Sequence, residues 1–247
     1  MPAIHVDHVC FAHPGGHAHA AGCSASSHVE KASDQHHTDL LHKISLTVEP
    51  GEYVALGGPN GGGKSTLLGL LLGQLVPGHG MLRIAGLAPK AAVRRGNLVG
   101  YLSQRDPVPG GVPIGAGDLV RSALAGRCGL FGKPSAEELD HVDALLARFA
   151  LTDAADVPIA QLSGGMRRRA MIVRALANRP AVWLLDEPTL NLDTAGTDAL
   201  LDLLADPPQE RPAVLVVTHD EKLADACDRQ LTLDRTLKPA GLSVGLA

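Results

Sequence analysis

The sequence contains few aromatic residues and no excess of basic ones. Phe, Tyr and Trp together make up 2% of its 247 residues. Lys and Arg number 22 against 26 Asp and Glu, which gives a formal net charge of −4. Proteins that bind nucleic acids use clustered basic residues for the phosphates and aromatic residues for base stacking. The composition therefore disfavours a nucleic-acid partner.

Long apolar runs are also missing. The longest candidate, 67–76, is interrupted by Gly69, Gly73 and Gln74, and it falls short of the roughly 20 residues that a transmembrane helix needs. The N-terminus has His and Asp where a signal peptide would have a cationic and then an apolar stretch. The four cysteines are widely spaced in a long chain, which is no disulfide framework. These absences predict a soluble, cytosolic protein.

Histidine is abundant and concentrated near the N-terminus. Nine of the twelve histidines lie in the first 42 residues. The stretch 14–38 is rich in Ala, Ser and Gly and has almost no large apolar residue, so it cannot bury a core of its own. We expect a flexible insert at 15–38, with regular structure resuming at Leu40.

Three short apolar runs each lead into a polar residue. These are 97–103 before Gln104, 181–185 before Asp186, and 213–218 before His219. Continuous apolar runs of this length are typical of strands covered on both faces, as in a parallel sheet between helices. Ligands of such α/β sheets bind at the carboxyl ends of the strands. The polar residues are therefore expected to gather at one edge, and the last two runs are the better parallel-sheet candidates.

A helical segment separates the first of these runs from the second. Ser135 and Glu138 have the spacing of a capping box. Apolar residues then recur at helical spacing, which predicts one buried stripe; they are Leu139, Val142, Leu146 and Phe149. Turns rich in Gly and Pro bracket the segment. We expect a helical insert over roughly 105–158.

Residues 58–65 form a phosphate-binding loop by pattern, G-x-x-x-x-G-K-S. An apolar run at 53–56 precedes the loop and a helix start at 66–68 follows it, which is the context that the motif requires. Glycines allow successive N–H groups to point at phosphate oxygens. Lys64 is expected to reach the β- and γ-phosphates, and Ser65 to bind Mg²⁺.

Asp186 and Glu187 follow the second apolar run, in the Walker B arrangement. Next to a phosphate loop, such an acidic pair indicates a nucleotide-hydrolysing site. Asp186 is expected to bind Mg²⁺, and Glu187 to act as the general base toward the attacking water.

A further motif, Leu162-Ser163-Gly164-Gly165, follows the phosphate loop by about 100 residues. Together with the loop, Asp186-Glu187-Pro188-Thr189 and His219, it resembles an ABC transporter ATPase subunit over almost the whole chain. The resemblance implies an α/β fold. Its parts would be a P-loop ATPase core with a mainly parallel sheet, an N-terminal antiparallel β subdomain and an inserted helical subdomain, all within a single domain, 1–247.

The resemblance also implies roles for single residues. Gln104 would sense Mg²⁺ and couple the helical insert to a transmembrane partner, Asp193 would lie at a dimer interface, and His219 would contact the γ-phosphate. The Ser-Gly-Gly of the signature would bind the ATP held by the opposite subunit, so that two chains enclose two ATP molecules. The implied ATP contacts are His13, Gly58, Pro59, Asn60, Gly61, Gly62, Gly63, Lys64, Ser65, Thr66, Ser163, Gly164, Gly165 and Asp193.

Two positions depart from the family pattern. After the signature the family usually has Gln-x-Gln-Arg, whereas here 166–169 reads Met-Arg-Arg-Arg; we interpret 167–169 as a solvated or subdomain-facing surface. The first strand would end in an aromatic residue that stacks on adenine. His13 stands at that position, with Phe11 as the substitute.

The His-rich insert is a third departure, because about 25 residues separate the first strand from the second, 40–46. Neutral imidazoles bind Zn²⁺, Ni²⁺ and Cu²⁺, and a thiolate favours softer ions. The candidate ligands for a transition metal are His17, His19, Cys23, His28, His36 and His37. The spacing matches no closed structural zinc site, so a weak binder and a merely solvated loop both stay open.

Segments around 126–151 and 218–237 resemble the family's zinc and manganese uptake subunits. This implies a homodimer, a membrane permease, an extracytoplasmic metal-binding protein and a location at the cytoplasmic face of the membrane. Three alternatives stay open: an ABC ATPase for another substrate with the loop as metal store or sensor, an ABC protein acting on ribosomes or DNA, and a P-loop metallochaperone GTPase. The last would need a guanine-reading Asn/Thr-Lys-x-Asp, which the sequence lacks.

Overall fold

The computed structural model describes residues 1–12, 39–105, 114–128, 133–207 and 210–239. The strands are β1 (Ile4–Ala12), β2 (Asp39–Val48), β3 (Tyr53–Gly57), β4 (His79–Ile84), β5 (Val99–Leu102), β6 (Val182–Asp186), β7 (Ala213–Val217), β8 (Arg229–Asp234) and β9 (Thr236–Pro239). The helices are α1 (Lys64–Leu71), α2 (Pro89–Arg94), α3 (Ala116–Cys128), α4 (Ala136–Arg148), α5 (Gly164–Leu176), α6 (Thr194–Ala205) and α7 (Glu221–Asp225). Short 3₁₀ turns at Thr152–Ala154 and Ile159–Gln161 follow α4. The insert 15–38 lies outside the described residues.

The strands of the described ranges form two sheets. The smaller is antiparallel, in the order β2-β1-β4. The larger has the order β5-β6-β7-β3-β8-β9, in which only the β8–β9 pair is antiparallel. With helices α3 and α4 inserted between β5 and β6, this arrangement confirms the predicted fold class.

The burial of each apolar run determines how much of it forms a strand. Every residue of β6 and β7 is buried, because these strands lie inside the sheet with helices on both faces. β5 lies at the sheet edge and pairs only with β6. It is correspondingly shorter than the predicted run, and Val99 and Tyr101 are only half-buried.

The strand order determines where the polar residues lie. β6, β7 and β3 are consecutive neighbours and run parallel. Their carboxyl ends lead to Asp186, to His219 and to the phosphate loop, respectively. Because parallel strands end at the same edge, this topology brings the three motifs together.

Helices α3 and α4, which lie between β5 and β6 in the chain, pack against α5 and the larger sheet. Ser135 Oγ accepts a hydrogen bond from the Glu138 N–H at 3.2 Å, and Glu138 Oε2 accepts one from the Ser135 N–H at 2.8 Å, so the predicted capping box is present. Val142, Leu146 and Phe149 are buried in one cluster with residues of α5 and the sheet, and Leu139 packs on its margin.

Main-chain hydrogen bonds join the two ends of this helical region. Ile159 donates to the Ile114 carbonyl at 2.9 Å, and Ala116 donates to the Val157 carbonyl at 3.1 Å. The pairing lies next to the predicted boundary at 158 but nine residues after the one at 105. In the part of the chain that the structure describes, no helix has both the length and the apolar character that crossing a bilayer demands.

Candidate nucleotide-binding site

The phosphate loop runs from the end of β3 to the first residue of α1. Gly58 and Gly63 have φ angles of 132° and 97°, which disfavour any residue with a side chain. A Cβ on Gly58 would lie 2.2 Å from the Leu233 carbonyl oxygen of β8, and one on Gly63 would lie 2.5 Å from Leu41 Cδ2 of β2. Both glycines are therefore required by close packing as well as by backbone conformation.

Lys64 lies across the loop rather than in solvent. Its side chain is buried, and its Nζ donates to the carbonyls of Gly58 at 2.6 Å and Pro59 at 3.0 Å. Ser65 and Thr66 follow in the first turn of α1, with Ser65 exposed. A Gly-rich loop that ends in a helix N-terminus presents N–H groups and a favourable field to an anion. The predicted residues 58–66 thus lie in one continuous segment at the N-terminus of α1, in the arrangement that a phosphate-binding loop requires.

Asp186 closes β6 and is almost fully buried. Burial, and then the neighbouring Glu187, raise the pKa of its carboxyl group above the usual range, while the cations of Arg168 and Lys64 act in the opposite direction. The main-chain N–H of Gln104 also donates to this carboxylate. Lys64 and Gln104, which belong to two other predicted motifs, therefore both act on the Asp186 carboxylate.

Glu187 follows in a left-handed backbone conformation, with φ of 47°. Its N–H donates to the Val217 carbonyl at 2.8 Å, which directs its side chain toward the end of β7. There His219 Nε2 lies 3.5 Å from Glu187 Oε1, and the His219 N–H lies 3.4 Å from Glu187 Oε2. The structure thus pairs the predicted base with the predicted γ-phosphate histidine.

The signature residues surround a different cavity. Ser163 is the N-cap of α5, and its Oγ accepts from the Met166 N–H at 3.2 Å. A cavity of about 560 Å³ is lined by the signature, by Gln104 and by Asn191 and Asp193 of the loop before α6. None of residues 58–66 lines it. Within one chain, the phosphate loop and the signature therefore belong to separate surfaces.

The interpretation of 167–169 as a solvated or subdomain-facing surface is wrong for Arg168, whereas Arg169 is not solvated but does contact the helical region at Phe149. Arg168 and Arg169 are each 7% exposed. The sequence contains a signal for this: each lies four residues before an apolar residue, Ile172 and Val173, that is fully buried on α5. A guanidinium can be buried there because hydrogen bonds from its N–H groups are satisfied.

Arg168 binds main-chain carbonyls at the ends of two strands. Its Nη1 donates to the Ser103 carbonyl at 2.6 Å, and its Nη2 donates to those of Asp186 at 2.9 Å and Glu187 at 2.6 Å. Its Nε lies 3.4 Å from the Pro188 carbonyl. Sequence reasoning missed this residue as part of the site.

Arg169 points the other way, toward Asp193. Its Nε donates to Asp193 Oδ1 at 3.0 Å, its Nη2 pairs with Oδ2, and its Nη1 donates to the Phe149 carbonyl at 3.2 Å. Asp193 Oδ1 also accepts from the Gly196 N–H, which makes it the N-cap of α6. The hydrogen bond from Arg169 lowers the pKa of the Asp193 carboxyl group.

Several predicted ligands fall outside the described residues: His13, His17, His19, Cys23, His28, His36 and His37. The substitute for His13, Phe11, is 5% exposed and packed in the core beneath β1 and β2, so its ring is not available to stack on adenine. Within the described ranges, no three His, Cys, Asp or Glu side chains are grouped to hold a metal ion.

Comparison with known proteins identifies strong similarity. A family model described as "ABC transporter" matches residues 41–190. The manganese transport system ATP-binding protein MntA of Synechocystis is 36% identical over 81% of this chain and 77% of its own length. The lipoprotein-releasing system ATP-binding protein LolD of Anaeromyxobacter dehalogenans is also 36% identical, over 79% of this chain and 83% of its own.

Other manganese and zinc uptake subunits are 35% identical to the chain. Among solved structures, the dimeric bacterial ABC transporter cassette MJ0796 superposes with a TM-score of 0.75 at 26% identity. That alignment covers 97% of this chain and 100% of the cassette.

Proposed function

This chain belongs to the ABC transporter family, and we propose that it is the ATP-hydrolysing subunit of a transporter. In this proposal it powers the import of a divalent metal ion, manganese or zinc, through a membrane permease. The observation that carries the proposal is the similarity to metal-uptake subunits over about four-fifths of the chain. The nine histidines among the first 42 residues support it independently.

Hydrolysis follows from the arrangement at the ends of β6 and β7. The ATP phosphates bind the N–H groups of the loop 58–66, with Lys64 at the β- and γ-phosphates. Glu187 accepts a proton from the water that attacks the γ-phosphorus, the bond to the β–γ bridging oxygen breaks, and ADP leaves. His219, next to the Glu187 carboxylate, donates a hydrogen bond to the γ-phosphate.

The donor atoms at this point suit Mg²⁺. Asp186 offers a buried carboxylate next to Lys64, Ser65 a hydroxyl, and Gln104 a side-chain amide oxygen, which are the hard ligands that Mg²⁺ takes together with phosphate oxygens. When bound, Mg²⁺ neutralises charge on the β- and γ-phosphates. A buried carboxylate is costly unless a cation pairs with it, and Mg²⁺ at Asp186 would offset that cost.

A homodimer would complete each ATP site. The signature and Asp193 line a cavity to which the chain's own phosphate loop contributes nothing, as a head-to-tail sandwich requires. In that sandwich Ser163, Gly164 and Gly165 bind the γ-phosphate of the ATP on the partner's loop. The N-terminus of α5 adds a favourable field for that anion.

The permease would contact the junction of the helical region, 105–158, with the sheet. A cavity of about 240 Å³ opens there next to Gln104, lined by Tyr101, Ser103 and Arg105 near the end of β5, and by Ala123 and Met171 of α3 and α5. A partner at this junction would place the subunit at the cytoplasmic face of the membrane. An extracytoplasmic protein would deliver the metal.

The second candidate is an ABC ATPase for another substrate, with the insert as metal store or sensor. LolD is as similar to this chain as MntA is, which favours keeping this alternative. In both cases the insert would bind a transition metal through His17, His19, Cys23, His28, His36 and His37. The metallochaperone GTPase alternative does not agree with the family.

Metal uptake by cells tests the substrate. In a strain without this gene, uptake of radioactive manganese and zinc is compared after complementation with the wild type, with Glu187→Gln, and with a deletion of 15–38. We expect the wild type and the 15–38 deletion variant to restore uptake of one metal, and Glu187→Gln to restore neither. Unchanged uptake of both metals in the deleted strain would refute metal import. Loss of uptake only with the 15–38 deletion would make the insert part of the transport route.

Retention of metal by the purified protein tests the insert separately. We expect the wild type to keep Zn²⁺ or Ni²⁺ through gel filtration and the 15–38 deletion to lose it. ATP turnover of the two proteins with and without these ions then distinguishes a sensor from a store, since only a sensor changes turnover with metal.

A further inference from the structure

A single buried guanidinium joins the two strand ends from which the catalytic side chains project. Ser103, whose carbonyl accepts from Arg168 Nη1, directly precedes Gln104. The Asp186 and Glu187 carbonyls, which accept from Nη2, belong to the acidic pair itself. Since β5 pairs with β6 only as far as Leu102 and Leu185, no ladder hydrogen bond continues between the two segments beyond that point. Beyond the end of the ladder, Arg168 links the two segments by donating hydrogen bonds to main-chain carbonyls of both.

The chemistry of the side chain suits this position. A guanidinium carries five N–H groups in a planar, rigid fork and can serve acceptors on two segments at once. The glutamine that usually stands here in the family has a single amide nitrogen with two N–H groups. Glutamine therefore cannot serve the four carbonyls, on separate segments, that Arg168 contacts.

The turn that Arg168 binds is also strained. Glu187 is a non-glycine residue with φ of 47°, a conformation that costs about 1 to 2 kcal/mol. A strained turn persists only where its surroundings hold it. Three main-chain contacts hold it here: the Glu187 carbonyl accepts from Arg168 Nη2 at 2.6 Å and from the Leu190 N–H at 3.2 Å, and the Glu187 N–H donates to the Val217 carbonyl at 2.8 Å. Arg168 makes the shorter of the two bonds to the carbonyl.

We infer that Arg168 is a positioning residue for hydrolysis, which sets the orientation of the Glu187 carboxylate relative to Gln104 by binding the main chain of both segments. The inference rests on the proposed role of Glu187 as the base. Arg168 binds the main chain of the protein rather than ATP in this proposal. Its loss should therefore lower the rate of ATP turnover more than the affinity for ATP.

Steady-state ATP turnover by the purified full chain tests this. We expect Arg168→Met, which keeps the length of the side chain but donates no hydrogen bond, to lower kcat at least about tenfold with KM for ATP within about threefold, because a displacement of about 1 Å at a reacting group costs up to about a hundredfold. Arg168→Lys keeps the charge but loses the fork, and should give an intermediate kcat. Arg179→Met, which removes an arginine from an exposed ion pair with Glu137 just beyond the same helix, is the matched control and should leave kcat unchanged.

A double-mutant cycle separates positioning from general damage. In single-turnover measurements, Arg168→Met should add less than about a twofold loss once Glu187→Gln is present. An equal loss in both backgrounds, a raised KM with unchanged kcat, or a wild-type kcat for Arg168→Met would overturn the inference. If Arg168→Met is insoluble, a wild-type kcat for Arg168→Lys overturns it. Full turnover by Glu187→Gln would refute the base assignment and this inference together, whereas an inactive Glu187→Gln with a fully active Arg168→Met refutes the inference alone.

Discussion

Removing the Asp193 carboxylate should destabilise the protein through two separable interactions. Asp193→Ala removes the N-cap of α6, where Oδ1 accepts from the Gly196 N–H at 3.0 Å, at a cost of about 1 kcal/mol. It also leaves the Arg169 guanidinium, whose side chain is 9% exposed, without its ion-pair partner. The Asp193 side chain is itself 54% exposed, so we take the lower range for a charged hydrogen bond, about 1 to 3 kcal/mol.

The expected total is about 2 to 4 kcal/mol, which for a domain of this size lowers Tm by about 4 to 16 °C. Asp220→Ala is the matched control, because Asp220 caps α7 through the Leu223 N–H at 3.2 Å and has no ion pair among those in the described residues. That variant should lose only the cap, about 1 kcal/mol. Thermal melting followed by circular dichroism measures both.

Equal Tm shifts for Asp193→Ala and Asp220→Ala would refute this reasoning, since they would show that the ion pair with Arg169 contributes nothing. Asp193→Asn supplies a second check. Its amide oxygen can keep the cap, but it loses the charge, and its NH2 group cannot accept from Arg169 Nη2. The Tm of Asp193→Asn should therefore lie between those of the wild type and Asp193→Ala.

Three further predictions follow from the site. Gly58→Ala should abolish ATP binding in equilibrium titrations, because its Cβ would lie 2.2 Å from the Leu233 carbonyl oxygen and its φ is 132°; measurable binding would show that the loop adapts. Glu187→Gln should lose turnover and accumulate as an ATP-bound dimer in light scattering, and a monomer at saturating ATP would contradict the sandwich. Because the folded pKa of Asp193 is lowered, its stabilisation is present above its unfolded pKa and lost as pH falls through the folded pKa. The Tm difference between wild type and Asp193→Ala should therefore shrink in acid, and a pH-independent difference would count against the ion pair.

The positions that the sequence predicts well are those where backbone requirements dominate. A phosphate loop needs glycine where φ is positive and where β8 approaches, and these needs appear directly as the Gly pattern of 58–63. The apolar runs of β6 and β7 follow from burial on both faces. The Ser135 capping box is a local interaction over three residues, and it forms as predicted.

The positions that it predicts poorly depend on contacts between distant segments. Phe11 has the chemistry of an adenine-stacking residue, but β1 places it against Leu41 in the core. The alternation of the smaller sheet decides which face Phe11 occupies, and register shifts after Val9 make that alternation irregular. A charge run such as 167–169 is equally ambiguous, because its exposure depends on which carbonyls lie opposite.

Those carbonyls lie opposite because of where α5 crosses the site. Its N-terminus carries the signature, while Arg168 binds the ends of β5 and β6, and Arg169 binds Asp193 and the end of α4 at Phe149. A rigid shift of α5 therefore cannot occur without changing contacts to the acidic pair and to the loop before α6 together. Since the Ser163 cap and both arginines lie within the first two turns of α5, the helix that carries the signature also carries the arginine that binds the Asp186 and Glu187 carbonyls. In the proposed dimer, a partner subunit that moved this helix would therefore also change the hydrogen bonds that hold the turn at Glu187.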